Sequence, residues 1–307
     1  MANYPIAAEH PDLDTAAYIP ILYAAKLLVE FYKATVFGVI ANTDYEGMIK
    51  DMGSEVKIRL LPEIVINDYV KGQNLNYDNP EPSSISLLID KGKYFALSIN
   101  EVDRKQVDIE FVSQWARHGS SELKPKVDYD VLSNIYGDAH ASNKGASAGV
   151  ESGDINLGVS GTPLQATTSN ILDIIVNCGV VLDEQNVPEE GRWMVLPAWA
   201  CGLIKRSDLK DASLAGDGTS ILRNGRVGMV DRFTIYMSNN IAKTTDGSDT
   251  VFNAIFGHKV GLTFASQIVK EETLKNPNDF GDLLRALHVY GYKVVKSKAI
   301  GHLYIKK

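Results

Sequence analysis

Two imidazoles one helical turn apart are the simplest protein zinc site, so the histidines come first. His10, His118, His140, His258, His288 and His302 never fall at i, i+4 spacing, and they read as surface or hydrogen-bonded core histidines. Cys178 and Cys201 are too few for a zinc or disulfide framework. Each stands among apolar neighbours, the setting of a small core residue and not of a reactive thiol. Gly158-Val159-Ser160-Gly161 lacks both the glycine two residues after the serine and the preceding strand that a nucleophile elbow requires. Asp90-Lys91-Gly92-Lys93 sets lysine beside glycine without the spacing that cradles phosphate, and reads as a β-turn. Gly216-Asp217-Gly218 and Asp246-Gly247-Ser248-Asp249 are turn sequences without the bidentate glutamate that closes a calcium loop. Asp183-Glu184 and Glu271-Glu272 are adjacent in sequence, whereas a glycosidase pair must face across a cleft. The expectation is a chain with no catalytic residue, no metal and no cofactor, which acts through its surfaces.

The composition agrees. A chain of 307 residues with 45% hydrophobic residues can bury a large core in one or two domains. The longest apolar stretch, around Tyr18 to Ile40, is broken by Lys26, Glu30 and Lys33 and is not a bilayer span. Glu9, Asp12 and Asp14 occupy the place where a secretory signal would be basic, so a soluble protein made in a cytosol is expected. The net charge of -7 argues against a surface that grips nucleic acid. It is compatible with a container for nucleic acid, since a wall that neutralises few phosphates lets packed DNA slide.

The elements follow from periodicity. Residues 18–34 read as a helix with Lys26, Glu30 and Lys33 on one face. Val56, Ile58 and Leu60 alternate with Lys57 and Arg59, giving a strand with one apolar and one basic face. A loop rich in Asn, Asp and Pro follows over 71–84. Leu87, Ile89 and then Tyr94 to Ile99 read as returning strands, with Asp90 to Lys93 as their turn. This is a two-stranded excursion with little core of its own, marginal in water unless a neighbour covers it. Residues 101–137 are helical by pattern, interrupted at Gly119 and Pro125. The stretch 138–160 is loop. Thr162-Pro163-Leu164-Gln165 reads as a capping box opening a helix that ends near Asn186, before Pro188. Arg192 to Leu196 reads as a buried strand, 197–204 as a helix, 207–225 as a loop and 226–237 as a strand. The chain closes as strand, helix, strand. Phe280, Leu283, Leu284 and Leu287 share a helical face between Asn278 and Gly291.

An ordered series of residues then carries a resemblance. It opens with Ile19-Pro20, Ala25-Lys26-Leu27-Leu28, Lys33-Ala34 and Val36-Phe37-Gly38. It continues through Asp44-Tyr45-Glu46-Gly47, Gly53, Val56-Lys57-Ile58 and Val65 to Tyr69. Leu88-Ile89-Asp90-Lys91, Tyr94-Phe95 and Glu101-Val102-Asp103-Arg104-Lys105-Gln106 close it. A second block is Leu182-Asp183-Glu184, Val187-Pro188, Gly191-Arg192-Trp193 and Val195-Leu196-Pro197, and a third runs from Gly257 to Gln267. Together they resemble the major capsid proteins of tailed double-stranded DNA bacteriophages, most of all the branch of short-tailed Salmonella-phage-type coat proteins.

The resemblance implies the α+β Hong Kong 97-like capsid fold. Residues 1–42 would be an N-terminal arm and 43–98 an extended β loop lying on a neighbour. Residues 99–161 with 258–307 would form a peripheral domain with a spine helix, and 162–257 an axial domain. It implies self-assembly into pentamers and hexamers of an icosahedral shell, in a virion assembled in the host cytoplasm. The partners implied are a separate scaffolding protein, a portal protein, a decoration protein and packaged DNA held without sequence-specific binding, with no membrane. Tyr45, Glu46, Lys57, Arg59, Asp68 and Tyr69 are the expected inter-subunit contacts. For Lys57 and Arg59 two readings stand side by side, docking on a neighbour's acidic surface and an ordinary solvated strand face. A tail or adaptor component, and an enzyme with a dispersed site, are the alternatives at this point.

Overall fold

The computed structural model describes residues 36–45, 55–60, 64–69, 71–74, 77, 79, 83–100, 122–123, 125–207 and 228–307. The helix expected over 18–34, most of the first part of the one over 101–137 with Gly119, the 207–225 loop beyond Ser207, and Glu46 lie outside those residues. In chain order the helices are α1 (Phe37–Ile40), α2 (125–134), α3 (Ile171–Glu184) and α4 (Ala198–Arg206). The strands are β1 (Glu55–Leu60), β2 (Ser83–Leu88), β3 (Lys91–Asn100), β4 (Leu164–Gln165), β5 (Arg192–Leu196), β6 (Met229–Val230), β7 (Phe233–Met237), β8 (Lys243–Asp246), β9 (Asp249–His258), β10 (Leu262–Lys275), β11 (Gly281–Val294) and β12 (Ile300–Lys306).

Every residue of β5 is buried, as a strand covered on both faces must be. It pairs parallel with β7 and antiparallel with β9 at the centre of a seven-stranded sheet ordered β4-β12-β9-β5-β7-β6, with β8 paired to β9. Ile171, Ile174, Ile175, Cys178, Val181 and Leu182 form one stripe of α3 at helical spacing. They bury against Met194, Leu196, Phe256 and Leu303 of the sheet, and Ala200, Cys201 and Ile204 of α4 join the same core. The expected end of α3 near Asn186 holds, but its start does not. Leu164 and Gln165 are strand, paired with Ile305 and Lys306, and α3 opens only at Ile171. There the Asn170 side-chain oxygen accepts from the Thr167 amide at 2.7 Å and no side chain caps the helix amides. The ladder to β12 satisfies the backbone of 164–165 and so overrides the local capping pattern.

The second body is a three-stranded antiparallel sheet, β10-β11-β3. Here the helix expected over 278–291 is corrected: 281–294 is one long strand. Leu284, Ala286, His288 and Tyr290 are all buried, a period of two; the spacing of Leu283, Leu284 and Leu287 matched a helix by coincidence. The turn expected at Asp90–Lys93 is also corrected, since Lys91 already pairs with Tyr290 in β3. The closing elements are therefore strand, strand, strand, with a 3-10 turn at Ser297–Ala299 before β12.

Helix α2 lies between the two sheets. Among the described residues, 122–123 and 125–134 are helical, and Pro125 opens the second of these runs. Val127, Val131, Leu132 and Ile135 are buried with Phe37, Ile40, Trp193, Ile255, Phe264, Tyr290 and Ile300 in a core built from both sheets. The buried Asp128 carboxylate accepts from the Phe37 amide (3.2 Å), the Ser238 hydroxyl (3.3 Å) and Asn240 Nδ2 (3.0 Å). One side chain thus joins three distant chain segments, and its desolvation is answered by hydrogen bonds.

Candidate assembly surface

The chemistry-bearing residues resolve first, because the structure gives them structural work. Cys178 and Cys201 are free and buried; burial pushes both thiols up, Cys201 to about 11, so neither is a nucleophile at neutral pH. Gly158 and Gly161 take positive φ in the loop preceding β4, where Val159 bridges Thr162. Asp246-Gly247-Ser248-Asp249 is the β8–β9 turn. Asp246 accepts from the Gly161 amide (2.6 Å) and the Tyr304 hydroxyl (3.2 Å), while Asp249 pairs with Lys306 (2.7 Å). Asp183 binds Arg192 and Arg232, and Glu184 accepts from the amides of Glu151 and Ser152. Among the described residues no group of His, Cys, Asp and Glu could hold a metal ion. Among them, too, no helix is long and apolar enough to cross a membrane.

The surface is where the chain has unspent binding capacity. β1 and β2 form a separate two-stranded ladder, Glu55 opposite Leu88 at its root and Leu60 opposite Ser83 at its far end. Paired residues share a face, so Val56, Ile58, Leu60, Ile85 and Leu87 point one way and Glu55, Lys57, Arg59, Ser84, Ser86 and Leu88 the other. The apolar face meets Ala265, Val295, Ile89 and Tyr45. Cover for the root is thus supplied within the chain and not only by a neighbour. Three fully buried side chains, Ile58, Leu87 and Ala265, are worth only several kcal/mol at about 2 kcal/mol for each large one.

Beyond the ladder, residues 64–69 form no regular element, and their large side chains face solvent. Ile66 is 93% exposed, Tyr77 87%, Ile64 78% and Tyr69 72%, with Val65 also exposed. A run of this kind is uncommon on a monomer. The expected contact residues divide accordingly. Lys57, Arg59, Asp68 and Tyr69 are exposed along the excursion, and Tyr45 packs half-buried at its root.

Sequence reasoning missed a second surface, the outer face of β10-β11-β3. Leu274 is opposite Leu283, Leu287 is opposite Tyr94, and Arg285 is opposite both Glu272 and Ala96. Tyr94 is 74% exposed and Leu287 and Leu274 are partly exposed, while Phe280 stands out at the β10–β11 turn. Arg285 Nε donates to Glu272 Oε2 at 2.9 Å across this face. The signal was the alternation through 283–290, hidden by the helical match. The Lys91 cluster was missed because Lys91 was placed in a turn. Its ammonium donates to Tyr292 Oη at 2.5 Å and to Asp130 Oδ2 at 3.2 Å. Burial works against that charge, but the Tyr292 hydroxyl and then the Asp130 carboxylate prevail and hold the lysine above its ordinary range.

No protein-family model and no curated protein matches this chain. Solved structures do. One of Mycobacterium phage Che8 is 25% identical with a TM-score of 0.69, covering 99% of this chain and 98% of that one. The capsid structure of the cyanophage P-SCSP1u is 16% identical with a TM-score of 0.67, covering 98% and 92%. The asymmetric unit of the bacteriophage PhiM1 mature capsid is 14% identical with a TM-score of 0.60, covering 99% and 92%. The likeness runs over essentially the whole chain. The fold is that of phage capsid subunits: α+β, the Hong Kong 97-like capsid fold expected from the sequence.

Proposed function

We infer that this chain is the major capsid protein of a tailed double-stranded DNA phage, a structural protein that self-assembles into the icosahedral shell around the genome. One observation supports the reading beyond fold: the segment 64–69 presents Ile64, Val65, Ile66 and Tyr69 to solvent, an apolar run suited to burial against another copy. Contacts between different surfaces of identical subunits close through rotation into rings, here pentamers and hexamers.

The remaining assignments belong to the same proposal. Residues 1–42 act as the arm, 43–98 as the extended loop, 99–161 with 258–307 as the peripheral domain, and 162–257 as the axial domain. Tyr45, Glu46, Lys57, Arg59, Asp68 and Tyr69 contribute to the subunit contact. The exposed cations Lys57 and Arg59 set register on an acidic neighbouring surface more than they add affinity. A separate scaffolding protein directs closure, a portal protein occupies one vertex, a decoration protein binds outside, and DNA is packed without sequence-specific contacts. Assembly takes place in the host cytoplasm, and no catalytic step is assigned to the chain.

Electron microscopy of the protein expressed alone and with its scaffolding protein tests this reading. Uniform closed shells in either sample are the expected result. Rings or tubes alone would assign the chain to a tail or adaptor, and a persistent monomer in both samples would remove the shell function.

A further inference from the structure

We propose that Lys91 and Gly291 are positioning residues for assembly, which aim the β1–β2 excursion as it leaves the body and thereby set the diameter of the shell. The inference rests on the reading of the chain as a shell subunit.

Among the described residues the ladder meets the body where Val56, Ile58 and Leu87 pack with Ala265, Tyr45, Ile89 and Val295, so whatever holds this root bears on where the far end goes. Two features converge there. The first is a backbone crossing: a Cβ built on Gly291 would lie 2.0 Å from the Leu88 carbonyl oxygen and 3.0 Å from Ile89 Cα. β11 therefore runs directly against the last residue of β2, and only glycine permits the approach. Gly291 pairs with Ala265, which with Val295 is the body's contribution to the small core under Ile58 and Leu87. The crossing and the core thus bear on the same point.

The second feature is polar and lies three residues on. Lys91, the first residue of β3, is tied to Asp130 of α2 and Tyr292 of β11. Tyr290 donates its hydroxyl to the same Asp130 carboxylate at 2.9 Å, and Tyr292 donates to the Asp130 carbonyl at 3.0 Å. The ammonium also lies 4.1 Å from the Tyr292 ring centre. The Lys91 and Asp130 side chains are 34% and 26% exposed. Such a shielded, multiply bonded pair has one geometry, unlike a surface ion pair that samples many.

The lever is long enough for small errors to count. A six-residue strand spans about 20 Å, so a rotation of about 10° at the root moves its far end by about 3.5 Å. That exceeds the length of a hydrogen bond, about 3 Å, and would break most contacts with a neighbour. A heterologous contact made at a different angle closes a ring or shell of different size.

The test uses the full-length protein with spin labels at S84C and S98C, two exposed positions on the excursion and on β3; the native cysteines are buried. Distances are measured by double electron–electron resonance on unassembled subunits, and shells are sized by electron microscopy. The unsubstituted root should give one narrow distance and shells of one diameter. K91M keeps the aliphatic stem and removes the donors; it and Y292F should broaden or shift the distance by several ångströms and give mixed or altered diameters, with little change in Tm. G291A should shift the distance in the same way, and the inference stands on the other two variants where it does not fold. Unchanged distances, or shifted distances with shells of unaltered diameter, would overturn the inference while leaving the shell function intact. Absence of shells from the unsubstituted chain would overturn both.

Discussion

A guanidinium without solvent contact needs every N–H answered, and Arg192 shows how. Its side chain is fully buried and donates to the carbonyls of Pro188 (2.9 Å), Val187 (2.6 Å) and Gly179 (3.3 Å), with Asp183 at 2.7 Å as counter-charge. It thereby closes the C-terminal end of α3 and fixes the chain's entry into β5. Arg192→Met should cost about 1–3 kcal/mol, the penalty for leaving the carbonyls of Pro188, Val187 and Gly179 without their donor, measured by urea unfolding. Two histidines set the acid limit. Burial lowers His288 to about 4; burial and then the nearby Lys144 charge lower His302 to about 4. His302 Nε2 meets Asn253 Oδ1 at 3.0 Å. Because the folded values lie below the ordinary 6.5, only the unfolded chain takes up protons between about 6.5 and 4. Stability is therefore full above 6.5 and falls as pH drops through that window, by up to about 3 kcal/mol per ring. Thermal melts from pH 7 to 4 should show the fall, and His302→Gln should flatten part of it.

At the scale of elements, the central sheet depends on close backbone approach as much as on apolar area. A Cβ on Gly301 of β12 would meet the Phe256 ring at 2.2 Å, and one on Gly257 of β9 would meet the Ala299 carbonyl at 2.5 Å. Phe256 is buried in the α3 core, so it has nowhere to retreat. Gly301→Ala should destabilise the fold by about 1–3 kcal/mol, the usual cost of overpacking, visible as a lower denaturant midpoint. β5, α4 and β1 were legible because their buried residues come from their own local pattern, whereas Tyr94 to Ile99, expected in the excursion, pair with β11 in the body sheet. The strand at 281–294 was not, since Leu283, Leu284 and Leu287 fit a helix and only pairing with both β10 and β3 selects the extended form. The segment at 164–165 failed for the same reason, its partner Ile305 being distant in sequence.

At the scale of the whole molecule, the feature to test is the excursion. Lys57→Glu with Arg59→Glu leaves the monomer's melting unchanged, because both side chains are exposed on the outward face of β1. The double reversal should cut shell yield by about tenfold or more, and the salt dependence of assembly should invert, as expected when complementary charges become like charges. Assembly with an unaltered yield and salt response would return Lys57 and Arg59 to a plain solvated face.

Composition, the scattered histidines and the absence of spaced ligand motifs led, from sequence alone, to the expectation of a chain that acts through surfaces. The ordered series from Ile19 to Gln106 determined which fold to expect. Alternation at Val56, Ile58 and Leu60 gave the excursion's two faces, because a strand's side chains alternate whatever covers them. Tertiary structure alone decided which segments pair, and therefore that Lys91 opens a strand and meets Asp130 and Tyr292, residues far away in the chain. It also decided that the excursion's root is covered by its own chain while Ile64 to Tyr69 is left exposed. Long-range pairing has no local signature: its free energy comes from hydrogen bonds and buried area that exist only once distant strands meet.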